Sequence, residues 1–326
     1  MSGRFRSWLD PDPERLSRLS ALEAENPLLT PGYAEARRRI GERVVLLVLE
    51  DGDAWSAGAL GFLRGRGGGL LEIPCSPGVP ADSPFWSGLA DFVRAQRVRA
   101  VELASFASTS VDLPQWPDRL RTTPRTEWVL DLAEGAGAAD LSTGHRRNAR
   151  KAVAAGVEMV VRPGAEGLDA HLGCFESSMD RRAQRGETVP SDLGDELLRG
   201  WLETGAAELV QAVREGQVLS SILALRSPAG AYYQSSGTTE EGRELGASPF
   251  LVAAFAERLA GEGVTRFNLG GAHDDNPGLQ RFKRGFGARA VPLESGRFST
   301  ASGGLHKLWE LGRRARAAFR ARRAGR

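Results

Sequence analysis

The sequence predicts a mixed α/β protein built as two related halves in tandem. Three observations carry that expectation. Apolar runs of period two and of helical period alternate along the chain. The segment SPFWSGLADFVRAQRVRAVEL (Ser83–Leu103) is echoed by SPFLVAAFAERLAGEGVTRFNL (Ser248–Leu269), with one single-residue insertion and an offset of about half the chain. The three strand-like runs before the second copy are joined by Glu215-Gly216 and Ser227-Pro228-Ala229, connections short enough for antiparallel hairpins. Each half is therefore expected to be a mixed, mainly antiparallel sheet with a crossover helix. The expected division is 1–125, 126–301 and a basic amphipathic tail helix over 302–326.

The elements follow in order. Pro13 to Glu25 reads as a helix, and Arg43 to Glu50 and Trp55 to Leu63 as strands turning at Asp51-Gly52-Asp53. A strand at Gly69 to Ile73 precedes a helix capped by Ser83, with Pro84 at its tolerant first position. A strand follows at Arg99 to Ala104. The second half opens with the alternating run Thr126 to Leu132. A helix capped by Ser142 or Thr143 then ends before Gly156, a suitable C′ residue. A strand at Val157 to Arg162 and a helix over Gly167 to Gln184 come next. Strands at Ala207 to Arg214, Gln217 to Arg226 and Gly230 to Gly237 lead to a helix over Ser248 to Glu262 and a strand at Thr265 to Leu269.

Composition narrows the class. Apolar residues make up 41% and charged residues 26%, which suits a folded globular chain. Cys75 and Cys174 are far apart and the four histidines are scattered, so neither a disulfide framework nor a metal site is expected. The N-terminus lacks an apolar signal core, and the longest strongly apolar run, Val44 to Leu49, is far short of a membrane span. A cytoplasmic protein is expected. From Gly304 onward eight basic residues face one acid, Glu310, and the rest of the chain is mildly acidic. The stripe Leu305, Leu308, Trp309, Gly312, Ala315 and Phe319 makes that tail amphipathic. It suits docking on the body, a peripheral contact of 305–326 with anionic membrane, or RNA.

Two blocks carry a resemblance. The first has Asp131-Leu132 at a strand end, then Arg146-Arg147-Asn148-Ala149-Arg150-Lys151-Ala152 on a capped helix, then Gly156 and a strand. The second is FNLGGAHDDNPGLQRFKRGFG (Phe267–Gly287), a strand into Gly-Gly, a polar loop and Gly-Leu-x-x-Phe-Lys-x-Gly-Phe-Gly. Ser178–Gly186 fits the intervening helix end. Together these blocks resemble the Fem-type family of aminoacyl and acyl transferases, within the GNAT acyltransferase class. The resemblance runs over about 126–300, and the first half is matched mainly through the internal echo. It implies a transferase that moves an acyl or aminoacyl group to an amine, with no tightly bound cofactor. The donor would be an aminoacyl-tRNA, with a cell-wall-precursor amine as acceptor in peptidoglycan biosynthesis, or an acyl-CoA, with a small amine or amino sugar. The residues leave both open.

The chain has no Gly-x-Ser-x-Gly elbow and no recognisable Cys–His nucleophile pair, which favours direct attack by the acceptor amine. The resemblance implies a reacting-centre role for Lys283, where an ammonium would hold the acyl oxygen or a donor phosphate. His273 and Asp274 follow Gly270-Gly271 and suit a general base. Arg146, Arg147, Arg150 and Lys151 form a basic helix face suited to donor phosphates. Arg243 and Gly246 partly match the Gln/Arg-x-x-Gly-x-Gly/Ala pattern of coenzyme A-binding acetyltransferases, with Ser248 departing from it; Phe282, beside Lys283, is a further donor-binding candidate. Tyr232 and Tyr233 lie in a strand, where successive side chains point to opposite faces, so both are candidates for the acceptor pocket, one lining it and the other facing the core. The rival reading is a catalytically degenerate GNAT-fold module that binds nucleic acid or a membrane surface.

Overall fold

The computed structural model describes residues 3–65, 69–116, 119–133, 141–187, 194–272 and 276–300. The expected tail helix, and His273 and Asp274, lie outside the described residues.

The first half contains β1 (Arg4–Leu9), α1 (Pro13–Leu22), a 3₁₀ turn (Pro27–Leu29), α2 (Pro31–Arg39), β2 (Arg43–Asp51), β3 (Ala54–Arg64), β4 (Leu70–Ile73), α3 (Pro84–Ala95) and β5 (Ala100–Leu103). A long strand, β6 (Arg119–Asp131), leads to α4 (Thr143–Ala154). The second half continues with β7 (Glu158–Arg162), α5 (Leu168–Gln184), α6 (Asp195–Glu203), β8 (Ala207–Arg214), β9 (Gln217–Arg226) and β10 (Gly230–Thr238). It closes with α7 (Glu240–Leu245), α8 (Ala247–Gly261), β11 (Arg266–Gly271), α9 (Pro277–Arg284) and β12 (Arg289–Ser299). The expected strands and long helices are present. The strands β1 and β12 and the short helices α2, α6, α7 and α9 were not anticipated, because each is short or carries alternating charges that weaken its apolar period.

Among the described residues the strands form a single twelve-stranded sheet in the order β1-β2-β3-β4-β5-β12-β6-β11-β10-β9-β8-β7. Its outer parts mirror one another. Strands β1 to β4 pair antiparallel in sequence, and β4 pairs parallel with β5 through the α3 crossover. Strands β7 to β10 repeat that pattern, with β10 parallel to β11 through α8. The centre is an exchange. Strand β6 leaves the first half but pairs with β11, while β12 leaves the second half and pairs with β5; β6 and β12 pair with each other. The expected boundary at 125/126 falls inside β6.

Burial follows the same plan. On one face α1 and α2 share one core with α5 and α6, where Leu16, Leu19, Leu46, Leu198, Leu209 and Leu223 pack together and Tyr33 stacks on Trp201 at 5.6 Å. On the other face α3 covers a core around Phe85, Leu89 and Phe298, and α4 and α8 cover another around Leu251, Phe255 and Phe267. Phe298 of β12 packs under α3, so the strand exchange is also an exchange of core side chains.

His171 of α5 is fully buried against the second half of the sheet. Its Nδ1 lies 3.0 Å from Ser221 Oγ of β9 and its Nε2 2.9 Å from Ser235 Oγ of β10. Burial lowers its pKa to about 4, because the imidazolium would have no water around it. The unfolded chain takes up this proton from about pH 6.5 downward and the folded chain only near 4. Folding stability therefore falls across that window as the pH drops. Urea unfolding followed at pH 7, 5.5 and 4 is expected to show this loss, with a shallower slope in His171→Gln; equal slopes in the two proteins would contradict it.

Candidate active site at the seam of the two halves

Strands β10 and β11 pair only from Gly230↔Arg266 to Tyr232↔Asn268. Beyond Tyr233 a bulge redirects β10, which runs on to Thr238 bonded to β9 alone. A wedge opens between Tyr233–Thr238 and Leu269–Gly271. Helix α5 lies close over the β10 side, since a Cβ on Gly237 would stand 2.0 Å from the Cys174 carbonyl carbon. The first half has no such opening. All four residues of β4 pair with β5, and Ala104 N to Ile73 O (2.8 Å) and Phe106 N to Pro74 O (3.0 Å) continue the seam. The helix after each wedge differs too. Ser83 Oγ caps α3 at Phe85 N, whereas α8 starts behind Gly246, which is left-handed at φ +76° and offers no side-chain cap. Helix α8 begins one residue before Ser248, so the two Ser-Pro-Phe segments enter their helices differently.

At the closed end of the wedge stands a polar cluster. Glu127 of β6 has no exposed surface. Its Oε1 accepts from Arg125 Nε (2.9 Å), Arg125 Nη2 (2.7 Å) and Tyr232 Oη (2.9 Å). Its Oε2 accepts from Asn268 Nδ2 (2.6 Å) and the Ala107 backbone N–H (3.0 Å). Five donors thus converge from β6, β10, β11 and the first half's loop after β5. Arg125 also donates to Tyr232 Oη at 3.0 Å and lies over the Phe106 ring at 4.1 Å. Burial, and then the Glu127 charge, push the Tyr232 hydroxyl far above the ordinary tyrosine range, so it stays protonated.

Lys283 projects from α9 into this cluster. Pro277 begins the helix, Asn276 caps it at Leu279 N (3.0 Å), and its far end is held where His145 Nε2 meets the Phe282 carbonyl at 2.8 Å. The His145 ring packs on Phe286 at 4.3 Å, and a Cβ on Gly285 would run into that ring, which accounts for the glycine before Phe286. Lys283 is 6% exposed and its Nζ donates to the Gly271 carbonyl at 2.7 Å. Burial lowers its pKa to about 7; nearby Glu127 opposes that shift and Arg125 adds to it. Gly270 adjoins both groups, since a Cβ there would lie at contact distance, 3.7 Å from Tyr232 Oη and 3.8 Å from Lys283 Nζ, and its left-handed backbone (φ +75°) is what calls for glycine.

The other expected residues separate. Tyr233 points into the core beside Phe267, its hydroxyl pushed up to about 12 by burial. Phe282 packs with His145 and Phe286. Lys151 Nζ binds the Glu244 carbonyl at 2.7 Å, tying α4 to the end of α7, while Arg147 and Arg150 are exposed and Arg146 donates to the Leu141 carbonyl at 3.1 Å. Arg243 Nη1 donates to the Thr238 carbonyl at 2.8 Å, at the open end of β10. Sequence reasoning missed Arg125, Glu127, Asn268 and Phe106. One signal was present: Arg-Thr-Glu puts two opposite charges on one face of a strand whose next residues, Trp-Val-Leu, are buried.

Residues 140–284 match the family model described as acetyltransferase (GNAT) domain. The chain carries a GNAT acyltransferase domain in a Fem-type fold. The structure of FemX is similar over 94% of this chain and 99% of its own, at 12% identity and a TM-score of 0.66. A tandem GNAT protein from the clavulanic acid biosynthesis pathway matches over 93% of this chain and 100% of its own (13%, 0.54), and L-PGS from Bacillus licheniformis over 93% and 97% (14%, 0.52). No curated protein matches the sequence. Two GNAT-like halves in tandem are therefore the architecture, and the protein is an acyltransferase. No helix among the described residues is long and apolar enough to cross a membrane.

Replacing Glu127 by Gln turns one acceptor oxygen into a donor that faces Arg125 or Asn268. That leaves buried donors unpaired and is expected to cost about 3 kcal/mol. Urea denaturation of Glu127→Gln checks this, and an unchanged midpoint would remove the carboxylate from its organising role.

Proposed function

We propose that the protein transfers an acyl or aminoacyl group from a phosphate-bearing activated donor to an amine, with Lys283 at the reacting centre. The observation that carries this is a buried lysine, donating to the Gly271 carbonyl, at the closed end of an open β10/β11 wedge within a GNAT domain. The donor lies along the wedge. Its pyrophosphate meets the start of α8 behind Gly246, where no side chain caps the helix, beside Arg243. GNAT acyltransferases in general use acyl-CoA, and the similar tandem GNAT structure is that protein without AcCoA, so the ligand named for it supports a thioester donor here. The Fem-type fold supports an aminoacyl ester of tRNA as the other source of the same activated carbonyl. The first half keeps its own wedge closed and contributes Phe106 and the Ala107 N–H to the acceptor side, so one chain holds one donor.

The acceptor amine attacks the carbonyl carbon as its neutral form. The C–N bond forms, the carbonyl oxygen becomes an oxyanion, and collapse expels the thiolate or ribose oxygen, which leaves with the proton lost by the amine. Lys283 as an ammonium stabilises the oxyanion in a site shielded from water, where such a donor contributes most. Tyr232, kept protonated, spends its one hydroxyl proton on Glu127 and so fixes the wall of the site beside Lys283. Glu127 uses both oxygens on fixed donors, so its task is to hold Arg125, Tyr232 and Asn268 rather than to take a proton. The acceptor is a small amine or a cell-wall-precursor amine. The domain division at 1–125, 126–301 and 302–326 and peripheral contact of the tail with a membrane belong to the same reading.

Lys283→Met keeps the side-chain volume and removes a charge that burial disfavours, so the protein is expected to stay folded. Its kcat is expected to fall roughly a hundredfold. In the wild type, kcat/KM is expected to fall as pH rises through about 7, as the ammonium loses its proton. Steady-state kinetics with an acyl-CoA and an amine check both. A folded Lys283→Met with unchanged kcat removes the lysine from the chemistry, and a rate that rises across pH 7 makes the neutral lysine a base instead.

A further inference from the structure

The C-terminal half of α5 lies against the open end of the wedge. Thr238, the final residue of β10, fixes this: its carbonyl accepts from Ser177 Oγ at 3.5 Å, Ser178 Oγ at 3.4 Å and Arg243 Nη1 at 2.8 Å, and its N–H donates to Ser178 Oγ at 2.9 Å. Arg181 and Arg182 come three and four residues after Ser178, on the same helix face, and Arg185 one turn further. Four guanidinium groups, of Arg181, Arg182, Arg185 and Arg243, therefore gather beside the start of α8. Among the described residues one acid answers them. Glu187 binds Arg182 at 2.8 Å and Arg185 at 2.6 Å. Arg243 spends its bond on a neutral carbonyl, and Arg181 makes no hydrogen bond or salt bridge among the described residues. Counted over the described residues, the group keeps a net charge of about three, since four cations meet one carboxylate. Partial burial, and then the like charges of Arg185 and Arg243, lower the Arg181 pKa. Such mutual repulsion is unfavourable for folding and is relieved by a bound anion.

We infer that Arg181 and Arg185, together with Arg243 that they share with the α8 start, form a second phosphate-binding site on the α5 wall of the wedge, which reads a phosphate of the donor remote from its reactive carbonyl. This rests on the acyl-transfer reading above, because it takes the wedge as the donor's path. A guanidinium fork suits the planar, bidentate contact that a terminal phosphate monoester or a backbone phosphodiester offers. The site would select donors by a group that takes no part in the bond exchange, so its loss raises the donor KM and leaves kcat near the wild-type value.

The test is the double variant Arg181→Ala/Arg185→Ala in the full chain. Both side chains are exposed and alanine favours a helix, so the fold is retained. Binding is measured by calorimetry with coenzyme A and with dephospho-coenzyme A, and by fluorescence anisotropy with tRNA across a salt series. For a terminal-phosphate site, coenzyme A binding weakens at least about tenfold while dephospho-coenzyme A binding does not change. For a polynucleotide backbone, the tRNA salt slope becomes shallower by about two units, one for each arginine removed, and coenzyme A binding is unaffected. Either pattern supports the site and names its ligand. Wild-type affinity of the double variant for all three probes overturns it, and leaves the acyl-transfer reading standing if Lys283→Met has lost its turnover. A wild-type protein that binds none of the three overturns both.

Discussion

A carboxylate can be buried only if every acceptor oxygen finds a donor, and Glu127 meets that condition through groups brought from four parts of the chain. The carboxylate bridges the halves, taking the Ala107 N–H from the first and Tyr232 and Asn268 from the second. If the two halves drifted apart, the carboxylate would be left in a dry site without partners. The strand exchange of β6 and β12 reinforces this, since each half is completed by a strand from the other's side of the sequence. The seam is therefore both the most constrained part of the fold and the place where the chemistry is proposed.

The same constraint sets the properties of Lys283. The cluster excludes water, so a lysine inside it carries a large desolvation cost, only partly offset by Glu127 and the Gly271 carbonyl. That cost brings its titration close to neutral pH, where an ammonium is both a strong electrostatic donor and able to release its proton. Arg125 could not serve in this way, because two of its nitrogens already bind Glu127 and its pKa is raised rather than lowered. Two cations thus share one anion in different roles: the arginine shapes the site and the lysine faces the wedge.

Most of the fold was legible because its strands are long and apolar and its helices begin at good caps. The echo of Ser83–Leu103 in Ser248–Leu269 marked the pseudo-symmetric crossovers, and the hairpin turns at Glu215 and Ser227 fixed the order of β8 to β10. The strand exchange was not legible, since β6 and β12 carry many exposed charges and pairing across more than 150 residues leaves no local trace. In the site, Lys283 and Tyr232 stood out in sequence, but as a surface-reaching lysine and one of two equivalent tyrosines. The burial of the lysine comes from α9 tucking under the seam, a tertiary event. The bulge after Tyr233, and not the simple alternation of a strand, sets the course of β10 beyond the two tyrosines. Arg146, Arg147, Arg150 and Lys151 read as one basic face, yet Lys151 is committed to joining α4 and α7. The asymmetry of the two wedges depends on two backbone hydrogen bonds that no composition reveals.

The central claim is that Lys283 sits, cationic but poised, in a water-excluded cluster organised by Glu127. Its own titration tests this most directly. The Lys283 Nζ and Cε resonances, assigned by comparison of isotope-labelled wild type with Lys283→Met, are followed by NMR over pH 5 to 11. The account predicts a midpoint at about 7. A midpoint at the ordinary lysine value of 10.5 would show a solvated amine and contradict the account.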